Sequence, residues 1–193
     1  YKRNMKQHIS FPSIEGLHNV LATYNVRPDL FPETTVYRGK VKLHGSNAGV
    51  RVTRERVYAQ SRTIDLGEND KFAKFVKENE DYFLSRWNGA DFVIFGEWCG
   101  PGIQKKVAVT GISEPVFAIF MIQNGPSDDF DTGCVCDPGA ISEIMGELPS
   151  RIHVLPWYGE ILSITWSDRS SIQRAAAIAT EAVQEIEVCD PWV

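Results

Sequence analysis

Apolar and polar positions alternate along this chain with two different periods, and each change of period marks an element. After Pro12-Ser13, residues Ile14, Leu17, Val20 and Leu21 fall at helical spacing. That predicts an N-terminal helix capped by Ser13 and closed by Pro28 and Pro32. From Val36 to Leu43 the period shortens to two, with Val41 and Leu43 on one face and Lys40 and Lys42 on the other, which predicts a strand. His44-Gly45-Ser46-Asn47 reads as a turn, followed by short strands at Val50-Arg51-Val52 and Val57-Tyr58-Ala59. Asn69 to Trp87 is the strongest helical stretch, its stripe formed by Phe72, Phe75, Val76 and Phe83. Strands are expected at Phe92–Phe95 and Val116–Ile122, separated by the Gly100-Pro101-Gly102 turn, and a long loop over Gly125–Gly139. A short helix near Ile141–Leu148, a strand near Ile161–Trp166 and a last helix from Ser167 or Asp168 to about Glu187 complete the pattern. The class is α+β, with mostly antiparallel strands.

Composition narrows the picture. The 193 residues, 43% of them apolar, suffice for one sizeable core, so a single domain over residues 1–193 is expected. Charged residues at 23% exclude a disordered or collagen-like chain. No apolar run reaches the ~20 residues a membrane span needs. The cationic start, Tyr1 to Gln7, is followed by no apolar stretch of a secretory signal, so a cytoplasmic location is expected, the host's cytoplasm if the source is viral. Cys99, Cys134, Cys136 and Cys189 lack the spacing of a zinc site and read as free thiols.

The net charge of −5 conceals a gradient. Residues 1–37 are net +1, residues 38–106 net +4 and residues 107–193 net −10, with no lysine after Lys106. A polyanion would be held by the central block. Within it, a strand-end lysine followed at once by a tight turn suits a nucleophile. The sheet holds its stem, and Gly45 lets the backbone approach a ligand closely. His44 and Asn47 either hold a phosphate or order the turn. Arg51, Arg54 and Arg56 alternate with apolar residues, as an RNA-tracking edge or an ordinary solvated strand face both would.

The string Lys42-Leu43-His44-Gly45-Ser46-Asn47 resembles the first motif, K-x-H-G-[ST]-N, of the RNA ligase 2 and RNA-editing ligase family of covalent nucleotidyltransferases. Gln60-Ser61-Arg62-Thr63 follows where the family's next motif does. The run Phe95-Gly96-Glu97-Trp98-Cys99-Gly100-Pro101-Gly102-Ile103-Gln104-Lys105 resembles the third. Val116 to Ile122 resembles the F-x-x-F-D-I strand, with Met121 in place of the usual Asp, and Phe11-Pro12-Ser13-Ile14-Glu15 resembles openings of these domains. The likeness spans about residues 11–122. His44, where DNA ligases and capping enzymes typically carry Asp, points to RNA ends.

The resemblance implies a nucleotidyltransferase (adenylation) core of packed, mostly antiparallel β-sheets flanked by helices. It implies an ATP-dependent RNA ligase that joins RNA 5′-phosphate and 3′-hydroxyl ends through a lysyl-AMP intermediate, with Mg2+ or Mn2+. Lys42, His44 and Glu97 would be catalytic. Lys42, Leu43, Asn47, Arg62, Glu97 and Phe120 would bind AMP or ATP, Glu97 through the ribose hydroxyls and Phe120 by stacking on adenine. Gln104 and Lys105 are candidates for phosphate or RNA contacts, and the metal ligands are unknown. Phe117 and Phe120 are an odd number of residues apart, so a regular strand sends one into the core, and the motif register makes Phe120 the stacker.

The family's fourth motif, E-G-x-V, and fifth, K-x-K, are not found in this sequence, and the fifth has no lysine after Lys106 to build on. A chain that lacks its C-terminal part is therefore expected. The other readings are a DNA ligase or capping enzyme of the same superfamily, and a non-catalytic nucleotide- or RNA-binding relative or fragment.

Overall fold

The computed structural model describes residues 8–124 and 133–190. Much of the loop expected over 125–139, the cationic start and the last three residues lie outside them. The chain divides into two compact units, one containing Lys42–Leu155 with the segment up to Phe11, the other Pro12–Val41 with Pro156–Pro191.

The first unit is built on one sheet of strands β2 (Ser46–Val52), β3 (Val57–Ser61), β4 (Phe92–Cys99), β5 (Val116–Asn124), β6 (Cys134–Val135) and β7 (Ile152–Val154). Their order is β3-β2-β4-β5-β6, all antiparallel, with β7 added parallel to β5. Alternation gives the sheet two faces. Ala48, Val50, Val52, Phe92, Ile94, Trp98, Phe117, Ile119 and Ile122 form the main core with the helices α2 (Lys71–Glu78), α3 (Glu80–Leu84) and α4 (Pro138–Met145). Phe72, Phe75, Val76, Phe83, Ile141 and Met145 are the helical side of that core. The opposite face carries a smaller apolar cluster of Val93, Phe95 and Met121, covered by Ile9, Phe11 and Phe120. On this second face lie the polar residues considered below.

Two helix expectations need correction. The single helix over 69–87 is two helices that meet at Asn79, whose backbone leaves the helical region (φ −110°, ψ 19°). Its side-chain amide donates to the Phe75 carbonyl at 2.8 Å, a competing local bond of the kind that ends helices. Asp70 caps the first of them, accepting from the Phe72 and Ala73 amides. The N-terminal helix, α1 (Leu17–Val26), starts three residues later than a Ser13 cap would place it. Extended Gly16 precedes it without a side-chain cap, and Ile14 is 80% exposed.

The second unit pairs β1 (Thr34–Gly39) with β8 (Tyr158–Thr165) in a two-stranded antiparallel sheet. Its core is Ile164, Trp166 and Ala175, with Val20, Leu21, Tyr24, Phe31, Leu162 and Ile172 packed around them. Tyr24 stacks on Trp166 at 5.7 Å between ring centroids, Phe31 meets it edge-on at 5.0 Å, and its indole N–H donates to Thr35 Oγ1 at 2.8 Å. The last helix, α5 (Arg169–Cys189), is capped by Asp168, one of the two residues expected for that role.

Candidate active site

Lys42 is not on a strand. β1 ends at Gly39, and residues 40–45 run without regular pairing into β2. The alternation seen in the sequence persists without the ladder: Leu43 is 4% exposed, while Lys42 and His44 face solvent. The expected four-residue turn is shorter, because Ser46 and Asn47 already belong to β2 and pair with Trp98 and Glu97 of β4. Gly45 explains the compression. A Cβ there would sit 2.4 Å from the Trp98 carbonyl oxygen and 2.7 Å from Cys99 Cβ, so only glycine lets the chain pass so close to β4.

That close passage brings the nucleophile candidate and the carboxylate candidate together. The Gly45 amide donates to Glu97 Oε1 at 3.0 Å, and the Gln104 side-chain amide donates to the Gly45 carbonyl at 3.1 Å. Burial pushes the Glu97 carboxyl above its ordinary value. The Gly45 amide and the nearby charges of Lys42 and His44 pull it partly back. Lys42, His44, Gly45, Glu97 and Gln104 therefore converge although they come from two stretches of chain about fifty residues apart. Gln104 is a brace of the Lys42 turn through this bond. Lys105 is exposed and makes no ion pair among the described residues.

The sheet register extends the site. Asn47 is paired with Glu97, Glu97 with Ala118, and Ala118 with His153, so the four lie in one row across β2, β4, β5 and β7. The Asn47 side-chain oxygen is buried without a hydrogen-bond partner, an acceptor held ready beside Glu97. His153 had no motif to flag it. Burial lowers its pKa, which favours the neutral imidazole.

Phe117 and Phe120 separate as the odd spacing requires. Phe117 is wholly buried in the main core, and Phe120 is half-buried on the other face. A β-bulge sharpens the difference: Phe95 pairs with Met121 and Gly96 with Ile119, leaving Phe120 as the extra residue. Both Phe120 and Met121 therefore join the Phe95 cluster, and Phe11 packs edge-on against Phe120 at 5.1 Å. Met121 fills an apolar position there, 4% exposed.

Arg62 is exposed just after β3, in a turn that the Ser61 hydroxyl holds by accepting from the Thr63 and Ile64 amides. No hydrogen bond or ion pair brings it to Lys42 or Glu97. Beneath that turn is a buried network that sequence reasoning missed. Arg51 is 2% exposed and forks onto Asp65 at 3.1 and 3.0 Å, and Gln60, fully buried, donates to the Ile9 carbonyl at 2.5 Å. Arg51 is thus neither an RNA-tracking nor a solvated arginine, whereas Arg54 and Arg56 remain exposed. The signal available in the sequence was Asp65, fourteen residues on, but nothing local marks that pairing.

Among the described residues no three His, Cys, Asp or Glu side chains group to hold a metal ion, and no helix is long and apolar enough to cross a membrane.

The structure resembles an apo variant of the Naegleria gruberi RNA ligase, with a TM-score of 0.59 and 17% identity over 86% of this chain and 45% of that one. A second variant of that ligase, solved with ATP and Mn, gives a TM-score of 0.57 at 18% identity, over 86% of this chain and 46% of that one. At these identities the likeness is one of fold, and the chain spans less than half the length of those structures. A 92-residue stretch is 29% identical to the mitochondrial distribution and morphology protein 34 of Coprinopsis cinerea, covering 48% of this chain and 11% of that protein. The RNA ligase family model matches residues 36–180, which contain Lys42, Arg62, Glu97 and Phe120, and the chain belongs to the RNA ligase family.

Proposed function

We propose that this chain is the nucleotidyltransferase part of an ATP-dependent RNA ligase, of the RNA ligase 2 type, that works through a lysyl-AMP intermediate. The observation that carries the reading is the closure of the Lys42 loop on β4 through the 3.0 Å bond from the Gly45 amide to Glu97. It holds a lysine at the mouth of a turn beside a carboxylate that lies across from Asn47. The ATP-bound Naegleria ligase, similar in fold, supports ATP as the nucleotide.

In this reading the Lys42 amine attacks the α-phosphorus of ATP. The bond to the β-phosphate breaks, pyrophosphate leaves, and the lysine proton passes to solvent. Glu97, already held by Gly45, accepts from the ribose hydroxyls, and Phe120 offers its face to adenine. Leu43 anchors the loop in the apolar interior and Gln104 braces its turn, while His44 and the unpartnered side-chain oxygen of Asn47 are open to the nucleotide. A 5′-phosphate oxygen of RNA then takes the AMP, returning the lysine, and a 3′-hydroxyl displaces AMP as the strands join. Arg62 and Lys105, exposed and without ion pairs among the described residues, would contact phosphate in these steps. A divalent ion, Mg2+ or Mn2+, would stabilise charge on the departing pyrophosphate. The described residues offer it no cluster of three ligands.

The test is incubation with α-labelled ATP and a divalent salt. An acid-labile protein–AMP adduct is expected, absent from Lys42→Ala and not formed from labelled GTP. Absence of an adduct from a chain extended through the remaining family motifs would sink the catalytic reading, and labelling by GTP would redirect it to capping chemistry.

A further inference from the structure

The stretch before Pro12 belongs to the first unit and lies on the sheet face that carries Glu97. Three sets of contacts hold it there. His8 Nε2 donates to the Ser61 carbonyl at 3.0 Å, Ile9 and Phe11 pack on the Val93, Phe95 and Met121 cluster, and Gln60 Nε2 donates to the Ile9 carbonyl at 2.5 Å. Gln60 is the pin. It is wholly buried and lies across the sheet over Gly49, where a Cβ would come within 2.9 Å of its Cγ. Its amide oxygen accepts from Arg51 Nη1 at 3.5 Å, so both ends of the amide are used. A buried amide committed at both ends holds a backbone segment in one place.

The strap formed by residues 8–11 ends on the ring of Phe120. Phe11 meets that ring at 5.1 Å between centroids and an angle of 70°, and meets Phe95 at 5.3 Å and 59°. Phe120 is the extra residue of the β5 bulge and has no Cα partner on β4. Ladder register therefore does not fix it as it fixes its neighbours, and the direction of its ring depends on what packs against it. Phe11 supplies such support from outside the sheet.

We infer that Gln60 and Phe11 are positioning residues for the nucleotide: the strap, pinned by Gln60, sets the Phe120 ring at the angle at which adenine stacks on it. This rests on the proposed stacking of adenine on Phe120. Neither Gln60 nor Phe11 touches ATP in this arrangement, and both act through Phe120.

The experiment measures ATP affinity by calorimetry in Lys42→Ala chains, where no adduct forms, and single-turnover adduct formation in chains that keep Lys42. The substitutions are Phe11→Leu, Phe11→Tyr and Gln60→Glu, each made with Phe120 and with Phe120→Ala, and each checked by thermal midpoint. Gln60→Glu removes the donor to Ile9 but still accepts from Arg51, so it tests the strap independently if Phe11→Leu loses stability. Phe11→Leu and Gln60→Glu are expected to weaken ATP binding about fivefold, within what an aromatic pair contributes, while Phe11→Tyr keeps the ring and the affinity. In the Phe120→Ala background neither should weaken binding further. The ATP concentration for half-maximal adduct formation should rise by the same factor, with the rate at saturation unchanged. An unaltered affinity in folded Phe11→Leu and Gln60→Glu chains overturns the inference, as does a loss that persists in full beside Phe120→Ala, or a parent chain that binds no ATP. ATP binding coupled between Phe11 and Phe120 without any Lys42–AMP adduct upholds the inference and overturns the lysyl-AMP reading instead.

Discussion

The proposed chemistry turns on one side chain, Glu97. Its carboxyl is held above the ordinary value mainly by burial, against the Gly45 amide and the charges of Lys42 and His44. The folded chain therefore binds this proton more tightly than the unfolded chain does. Its contribution to stability is complete below the ordinary carboxylate range and is lost as pH rises through the raised folded value. Glu97→Gln keeps an acceptor for the Gly45 amide and removes the buried charge. The variant should melt at a higher temperature than the wild type at pH 7, and the advantage should shrink as pH falls through the carboxylate range. It should also lose adenylation, since a neutral amide is a weaker acceptor for ribose hydroxyls than a carboxylate. A Glu97→Gln protein that melts lower than wild type at pH 7 would show that attraction to Lys42 and His44 outweighs the burial of the charge.

Among the elements, β5 shows what sequence can and cannot reveal. The alternation of Val116 to Ile122 announced a strand, and the odd spacing of Phe117 and Phe120 announced opposite faces; both are present. The bulge at Phe120 was not legible, because it depends on β4 across the ladder rather than on β5 itself. The same limit accounts for the other departures. Lys42 alternates like a strand residue but has no neighbour to pair with. Three-residue β7 is too short to show a period, and Arg51 takes its role from Asp65, brought near by the β3 turn. The most local patterns fared best: one of the two expected caps, Asp168, holds the last helix, and strands are present at Val50–Val52 and Val57–Ala59 although β2 starts earlier, at Ser46. Motif order singled out Lys42, Glu97 and Phe120 as candidates, but the packing of Phe11 on Phe120, the place of His153 and the Arg51–Asp65 pair required the sheet. Substitution should separate the two rings of β5. Phe117→Ala, emptying a fully buried position, is expected to cost about 3–5 kcal/mol in denaturant unfolding. Phe120→Ala should cost much less stability but weaken ATP binding by about tenfold, within the ~1–3 kcal/mol a stacked base contributes. Equal losses of stability for the two would contradict the division of faces.

At the scale of the whole molecule, the chain has two separate apolar centres with different origins. The first unit draws its core from a nearly continuous stretch, whereas the second closes only when Pro12–Val41 meets Pro156–Pro191. That second core is small and turns on one residue. Trp166 is 3% exposed, contacts Tyr24, Phe31 and Tyr37, and bonds Thr35, so it ties the N-terminal segment to the C-terminal one. Loop closure over more than a hundred residues carries an entropic cost that only such contacts offset. Trp166→Ala removes three ring contacts and a hydrogen bond, a loss of about 3–5 kcal/mol for a buried tryptophan. In a small core this is enough to raise the open population of its own strands well above that of the larger sheet. Amide hydrogen exchange measured on the variant should therefore accelerate in β1, β8 and α5, with much smaller changes in β2, β4 and β5. Uniform acceleration across all of these strands would instead show that the two centres unfold as one cooperative body.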